Sequence, residues 1–301
     1  MLYMGSVNRL IFWMLIPLLL ISYLAFRVVE WRMLDDGRRS LIAEHHAVNL
    51  SDRNDINCLI LGGSNAVFSL SAEQMSTESG LKCYNLSLLN EGFSDKAYFD
   101  FINSMPIDRM RITSVFYSSV YPLTRKYFAE RMQNNESKMG ISGKQDFQLL
   151  GRSLASYLKN MLQGKPFQHH YPSPTSSGDF NFDLYDRCDS ESINDDWTLV
   201  SVDDAFRNWF GGNLLTVRSQ FQNAQIYFVL PSTLRSNVSD EELTTFSNLL
   251  QIEVTKQSVT YIEQSPFQSR DVLCDSTHHA NSHGRRIRTS ELLTLLHAQN
   301  D

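Results

Sequence analysis

A serine follows the first predicted strand of the chain, at a place where α/β folds carry out chemistry. The segment from Asn57 to Leu61 is predicted to be a buried strand because it ends in four consecutive apolar residues, and Gly62, Gly63 and Ser64 follow it. Open α/β sheets bind ligands outside the carboxyl ends of their strands, so the Ser64 hydroxyl is expected at a ligand-binding edge. The glycines let another group approach the backbone closely. The same residues also fit a plain turn in which the serine caps the next helix.

An acid and a histidine with catalytic spacing lie in a second segment, far along the chain. Asp275 and His278 form an Asp-x-x-His sequence, and Asn281 and Gly284 follow it before an apolar helical pattern. A carboxylate three residues before a histidine can fix the tautomer of the imidazole and stabilise its protonated form. The alternative is a solvated polar loop without function. The loop is rich in histidine, but no further ligand set is spaced to complete a metal site.

Together the two segments resemble the SGNH/GDSL hydrolase superfamily, from about Asn57 to His297. The uncharged apolar segment from Leu10 to Phe26 is similar to that of membrane-bound members of the DltD-like and polysaccharide O-acetylation kind. The resemblance implies that Ser64 is the nucleophile, His278 the general base and Asp275 the acid that orients the base. It implies no cofactor and no metal.

The segment YNLSLLNEG, which starts at Tyr84, resembles the second sequence block of the superfamily. This resemblance implies that the backbone amide of Gly92 binds an oxyanion together with the amide of Ser64. The sequence departs from the commonest family pattern at Gly63, where an aspartate is usual.

Two further positions differ from the family pattern or leave a choice open. The third block usually supplies an asparagine side chain to the oxyanion hole, and no such asparagine follows the third predicted strand; Ser118, Ser119 or Tyr121 is the candidate substitute. The base also has an alternative, because His279 better matches the usual five-residue interval to the following glycine, here Gly284.

The resemblance implies a membrane-anchored serine esterase or O-acyltransferase that acts on a cell-envelope or exported polysaccharide through a Ser-His-Asp triad. Its substrate would be a glycan or acyl ester, and a membrane acyltransferase is a candidate partner. The alternative is a catalytically weak or inactive SGNH-fold component that binds or assembles parts of a polysaccharide biosynthesis system. The missing third-block asparagine and a long insertion favour that alternative.

The elements that must position these residues alternate between β-rich and helical stretches, which predicts an α/β fold. With the resemblance, we expect a three-layer, flavodoxin-like sheet of about five parallel strands, with an insertion at about residues 125–200. The predicted strands are Asn57–Leu61, Lys82–Leu86, Ile112–Ser118, Gln225–Leu230 and Ser258–Ile262. The predicted helices are Trp31–His46, Ser71–Ser79, Lys96–Met105, Phe147–Leu162, Val202–Gln222, Asp240–Gln251 and Gly284–His297.

An apolar segment precedes the predicted α/β domain. Seventeen residues from Leu10 to Phe26 carry no charge, close to the roughly 20 residues that a membrane-spanning helix needs. We expect one N-terminal transmembrane helix in residues 1–30 and the SGNH-like domain in residues 31–301; a cleaved signal peptide and a buried helix are the alternatives. The arginines that follow the segment favour a cytoplasmic domain, whereas the family resemblance favours a periplasmic or extracellular one.

Composition excludes several classes of protein. The net charge of -6 leaves no basic surplus, so a nucleic-acid partner is not expected. Four cysteines without a Cys-x-x-Cys pair provide neither a disulfide scaffold nor a zinc or thioredoxin-type site. Cys58 and Cys83 are expected to be buried free thiols, and in an oxidising compartment Cys188 can pair with Cys274.

Overall fold

The computed structural model describes residues 23, 42–88, 94–136, 174–180, 193, 197–234, 238–274 and 276–300. The chain divides into two units, residues 1–42 with 139–171, and residues 43–138 with 172–301. Of the first unit only Tyr23 and Ile42 are described, so the fold and the site below are those of the second unit.

Five parallel strands form the central sheet, and they confirm the five predicted strands to within two residues at each end. They are β1 (Cys58–Gly62), β2 (Cys83–Asn85), β3 (Ser114–Ser118), β4 (Gln225–Val229) and β6 (Thr260–Ile262). Their spatial order is β2-β1-β3-β4-β6. Two short strands that were not predicted, β5 (Thr233–Leu234) and β7 (Phe267–Gln268), pair with each other in parallel. The predicted α/β fold with a parallel sheet of about five strands is therefore confirmed.

Eight helices accompany the strands in the part of the chain that is described. They are α1 (residues 42–51), α2 (Ser64–Ser69), α3 (Ala72–Ser79), α4 (Asp95–Ser104), α5 (Arg125–Glu136), α6 (Asp204–Gln220), α7 (Asp240–Lys256) and α8 (Ser282–Asn300). Helices α3, α4, α6, α7 and α8 confirm predictions, whereas α2 and α5 were not predicted. The helix predicted at Phe147–Leu162 lies outside the described residues.

Local sequence explains where several helices begin. Ser239 and Glu242 form a capping box at the start of α7, in which each side chain bonds the other residue's backbone amide. Ser71 caps α3, and Gly80 ends that helix in the left-handed conformation that glycine adopts readily. These caps satisfy backbone groups that a helix end leaves without partners.

Helices cover both faces of the sheet. On one face, Phe116 of β3 stacks on Tyr227 of β4 with ring centroids 4.8 Å apart, in a buried cluster that includes Leu292 of α8. Neighbouring residues of a strand point to opposite faces, so Phe228 lies on the other side. There its ring lies 5.1 Å from that of Phe210 of α6. A sheet buried on both sides needs nearly continuous apolar strands, as in β1, all five residues of which are buried.

A disulfide joins the two strands at one edge of the sheet. Cys58 of β1 bonds Cys83 of β2, so the prediction that both are free thiols is wrong. The physical reason is the strand register, which places Cys58 directly opposite Cys83 across two neighbouring parallel strands. Cys274 is disulfide-bonded as well.

Part of the predicted insertion packs against the domain. Residues 174–180 lie beside β2, where Asn85 donates its backbone amide to the carbonyl of Ser177. The buried carboxylate of Asp179 accepts hydrogen bonds from the Ser71 hydroxyl and from the backbone amides of Ala72 and Glu73, the first residues of α3. This stretch of the insertion therefore completes the N-terminal cap of α3.

Within the described residues, no helix combines the length and the apolar character that crossing a membrane requires. The predicted anchor at Leu10–Phe26 lies outside those residues except for Tyr23. The anchor therefore stays a prediction.

Candidate active site

Ser64 lies at the position where the strand order of the sheet reverses. The chain leaves β1 to form β2 on one side and later β3 on the other, and ligands of open α/β sheets bind in the crevice that this reversal creates. Gly63 caps the short helix α2, and Ser64 is its first residue. The hydroxyl of Ser64 is thus on a tight strand-to-helix connection at the carboxyl ends of β1 and β3.

Gly62 makes that connection sterically feasible. Its φ of +144° is one that residues with side chains rarely adopt, and an added Cβ would lie 1.8 Å from the carbonyl oxygen of Ser118 at the end of β3. Its amide donates to the Tyr98 hydroxyl at 2.6 Å. A glycine is therefore required to let the ends of β1 and β3 approach each other below Ser64.

His279 is the histidine that reaches the serine. Its Nε2 lies 2.9 Å from the Oγ of Ser64, within hydrogen-bonding distance. The ring of Phe68, one turn after Ser64 on α2, stacks on the imidazole with centroids 4.1 Å apart and planes 10° apart. The stacked phenyl ring restricts how the imidazole can rotate. A serine with an imidazole nitrogen at this distance is the arrangement of a nucleophile and its general base.

A closed loop positions His279. The backbone amide of Cys274 donates to the carbonyl of His279 at 2.7 Å, and the amide of Asn281 donates to the carbonyl of Val272 at 2.9 Å. An added Cβ on Gly284 would lie 2.3 Å from that same Val272 oxygen, so the start of α8 packs directly on the loop's backbone. This contact gives a physical reason for the five-residue interval between the histidine and the glycine.

The structure does not bring His278, the predicted base, to Ser64. The side chain of His278 is buried, and its Nδ1 lies 3.3 Å from the carbonyl oxygen of Ser232. Burial, with a smaller contribution from the neighbouring His279, lowers the pKa of His278 from 6.5 to about 3. The choice of His278 is corrected to His279 because adjacent side chains of this loop point in different directions, and only the second one faces the serine.

Two other predicted site residues, Asp275 and Gly92, lie outside the described residues. Their roles as the orienting acid and as an oxyanion donor therefore stay predictions.

Of the three candidate substitutes for the missing asparagine, Tyr121 is the one that lines the cavity at Ser64. The hydroxyl of Ser118 accepts a hydrogen bond from the side-chain amide of Asn65 at 3.1 Å. Ser119 is fully buried, and its hydroxyl accepts from the backbone amide of Tyr121 at 3.3 Å. Both serines thus support other residues of the site.

The cavity measures about 140 Å³, which is small beside the roughly 300 Å³ at the lower end for drug-sized ligands. It can accept a short acyl group and the atoms next to it. Its walls combine the serine and both histidines with two tyrosines. The lining residues are Gly63, Ser64, Asn65, Val120, Tyr121, Tyr127, Ser276, His278 and His279. No sequence pattern pointed to Tyr127, because the nearest predicted element before it ends at Ser118.

An ion pair between a buried arginine and a half-buried aspartate lies behind the ring of Tyr121. The guanidinium carbon of Arg131 lies 4.4 Å from the ring centroid of Tyr121, and its Nε donates to the carboxylate of Asp95 at 2.7 Å. Asp95 also accepts from the indole of Trp209 at 2.7 Å. The network joins α4, α5 and α6 behind the Tyr121 ring, and the contact between the cation and the ring stabilises the ring's position.

Among the described residues, no group of three or more His, Cys, Asp or Glu side chains could hold a metal ion. The chemistry that the described geometry supports is that of a serine and an imidazole.

Acid should destabilise the domain because two histidines are buried in neutral form. Burial lowers the pKa of His46 and of His278 from 6.5 to about 3. As the pH falls below 6.5, the unfolded chain takes up protons that the folded chain does not. The contribution of these histidines to the free energy of unfolding is therefore fully present above pH 6.5 and is lost on acidification. We expect a loss of up to about 1.4 kcal/mol per pH unit for each histidine.

Urea denaturation between pH 7.5 and 5.5 measures this effect. The substitution His46→Phe removes one of the two buried imidazoles. The slope of the free energy of unfolding against pH should therefore decrease by the equivalent of about one proton. The control is Ser219→Ala, which changes an exposed residue without a titratable side chain and should leave the slope unchanged. An unaltered slope in His46→Phe would contradict the assignment of a neutral buried imidazole.

Comparisons with known proteins give structural likenesses only. No family model matches the chain, and no curated protein matches it either. A protein from Streptococcus pneumonia, provisionally described as a platelet activating factor, aligns with a TM-score of 0.46 and 9% identity over 88% of this chain and 97% of that chain. The acetyl xylan esterase Est2A from the rumen bacterium Butyrivibrio proteoclasticus aligns with a TM-score of 0.40 and 10% identity, over 81% of this chain and 64% of that one.

A phospholipase A1 from Streptomyces albidoflavus aligns with a TM-score of 0.37 and 8% identity, over 79% of this chain and 98% of that chain. With TM-scores below 0.5, these likenesses assign neither a family nor a function to the chain.

Proposed function

We propose that the chain is a serine-dependent esterase or O-acyltransferase, with Ser64 as the nucleophile and His279 as the general base. The distance of 2.9 Å between Ser64 Oγ and His279 Nε2 is the observation that carries this proposal. The supporting observations are the position of Ser64 at the strand-order reversal and the small cavity that the two side chains share.

In the proposed reaction, Ser64 Oγ attacks the carbonyl carbon of an ester while its proton passes to His279 Nε2. The tetrahedral intermediate collapses as the carbon–oxygen bond to the alcohol breaks, and the alcohol leaves with the proton from His279. Water or a sugar hydroxyl then attacks the acyl-serine while His279 takes its proton, and the bond between the acyl carbon and Ser64 Oγ breaks as His279 returns a proton to Oγ. Water gives an esterase, and a sugar hydroxyl gives an acyltransferase.

Stabilisation of the oxyanion and orientation of the base complete the proposal. We assign the oxyanion to the backbone amides of Ser64 and Gly92, with the Tyr121 hydroxyl in place of the usual asparagine. Asp275 is the proposed partner of the other ring nitrogen of His279. The roles of Gly92 and Asp275 rest on the sequence resemblance, with His279 in place of His278 as the base that Asp275 orients. The role of Tyr121 rests on its position in the cavity wall.

We infer the setting of the enzyme from the sequence and from its disulfides. The apolar segment at Leu10–Phe26 anchors the proposed enzyme in a membrane, and the resemblance to DltD-like and polysaccharide O-acetylation proteins suggests a cell-envelope or exported polysaccharide as substrate. A membrane acyltransferase is the proposed partner. The Cys58–Cys83 bond supports a periplasmic or extracellular domain, because disulfides persist mainly in oxidising compartments.

The substitution Ser64→Ala tests the proposal. We expect the hydrolysis of 4-nitrophenyl acetate to fall by about 10³-fold or more, because the attacking oxygen is removed. Circular dichroism should show an unchanged fold. The matched control is Ser219→Ala, which removes an exposed helical hydroxyl that bonds only the Thr216 carbonyl among the described residues. Undiminished turnover in Ser64→Ala would reject the esterase and favour a binding or assembly component.

A further inference from the structure

His278 lies in the wall of the site and takes no part in the proposed proton transfer. Its Nδ1 is 3.3 Å from the carbonyl oxygen of Ser232, which can only accept a hydrogen bond. Nδ1 must therefore carry the proton of the ring. The other nitrogen, Nε2, then presents a lone pair and acts as an acceptor only.

Nε2 of His278 has no hydrogen-bond partner among the described residues, although the side chain is only 3% exposed. A buried acceptor without a partner costs free energy, and most such groups in folded proteins are paired. The same side chain lines the cavity that contains Ser64. A ligand that enters this cavity can supply the missing donor.

The rings around His278 restrict its movement. Tyr127 packs edge-on against the imidazole with centroids 5.5 Å apart, and Trp197 packs in the same way at 6.1 Å. The Trp197 indole donates to the carbonyl of Leu234, so that indole N–H does not serve His278. The imidazole is therefore fixed in orientation before any ligand binds, which is the condition for a selective hydrogen bond.

A hydroxyl on the alcohol part of an ester is a donor of suitable chemistry for this acceptor. Tyr121 and Tyr127 add aromatic surface to the same cavity, suited to the apolar C–H face of a sugar or polyol. An ester of a simple alcohol would fill the space but leave Nε2 without a partner.

We propose that Nε2 of His278 accepts a hydrogen bond from a free hydroxyl of the substrate alcohol, so that the site selects esters of sugars or polyols over esters of simple alcohols. This inference rests on the proposed function, since it names the substrate class of the same site. A site built to bond a hydroxyl discriminates against the analogue that lacks it, because the protein's polar group then stays unpaired.

A matched pair of esters tests the inference on the purified full chain. 2-Hydroxyethyl acetate carries a hydroxyl where propyl acetate carries a methyl group, and the two are otherwise alike. We expect kcat/KM to be about tenfold or more higher for 2-hydroxyethyl acetate. Glyceryl monoacetate should show the same preference.

Two variants assign the preference to His278. In His278→Phe, which offers no acceptor, the ratio of the two kcat/KM values should fall to about 1. In His278→Gln, whose side-chain carbonyl can accept at a similar reach, part of the preference should return. A wild-type ratio near 1 overturns the inference, as does a ratio that persists in His278→Phe or is equally absent from a folded His278→Gln.

The two proposals fail in different ways. Equal turnover of both esters removes the hydroxyl selection and leaves the esterase intact. If neither ester is turned over and a fluorophosphonate probe does not label Ser64, the proposed function is rejected and this inference with it. If His278→Phe does not fold, the wild-type ratio and the ratio in His278→Gln still decide the outcome.

Discussion

The substitution His279→Ala is expected to lower the rate of ester hydrolysis by about 10³- to 10⁶-fold. The hydroxyl of Ser64 is a weak nucleophile until a base removes its proton, and His279 Nε2 is the base within 2.9 Å. Without the imidazole, the alcohol that leaves also lacks an acid to protonate it. Both covalent steps should therefore slow, and kcat should fall more than KM changes.

The adjacent segment supplies a matched control for this experiment. His283 is exposed on the first turn of α8, four residues after His279, and His283→Ala should retain wild-type turnover. A loss of less than tenfold in His279→Ala would mean that another group takes the serine's proton. An equal loss in both variants would point to damage of the loop instead of loss of the base.

Removal of the disulfide between β1 and β2 has the largest expected effect on stability. Cys58 and Cys83 are separated by 25 residues, and closing a loop of that size in the unfolded chain is worth about 3.5 kcal/mol. We expect the double variant Cys58→Ala with Cys83→Ala to lose about that amount in urea denaturation. The bond also fixes β2 next to β1. The decrease in the free energy of unfolding should therefore be seen in the domain that carries Ser64.

Reduction provides the control for the double variant. Dithiothreitol should lower the free energy of unfolding of the wild-type chain toward that of the variant. Part of the decrease on reduction is expected from the second disulfide, that of Cys274. Labelling of thiols in the denatured, unreduced chain should find Cys58 and Cys83 blocked. Free thiols at both positions in the purified, unreduced protein would contradict the disulfide and the oxidising compartment proposed from it.

The strands were predictable because their apolar runs are a local feature. The segment CLILG of β1 is buried on both faces, and such a run is unusual outside a sheet core. Helix α2 was missed because it has six residues and begins directly after the strand. Helix α5 has the sequence RKYFAERMQNNE, in which polar residues outnumber apolar ones, so it shows no clear apolar face and was missed. Among its described residues, Arg131 is the one fully buried side chain.

The choice between the two histidines depended on information that spacing alone does not contain. Asp-x-x-His spacing favoured His278, whereas the interval to Gly284 favoured His279. The structure explains the second rule, since Gly284 packs against the Val272 carbonyl and thereby sets the distance from the helix start to the loop. The first rule failed because it gives no information on which side of the loop each ring lies.

Contacts between distant residues could not be predicted from the sequence for a different reason. The pairing of Cys58 with Cys83 follows from strand order and register, and the contact between Arg131 and Tyr121 follows from the packing of α5. Neither leaves a local pattern. The position of Ser64 directly after β1 was predictable because the strand, the glycine pair and the polar turn are contiguous.

Covalent labelling of the purified full chain with a fluorophosphonate probe, followed by peptide mass spectrometry, tests the pairing of Ser64 with His279 most directly. Such probes react with a serine only when a base activates it. We predict one adduct, on Ser64, that is absent after heat denaturation and strongly reduced in His279→Ala but retained in His283→Ala. An unlabelled Ser64, or labelling that does not depend on His279, would contradict the account.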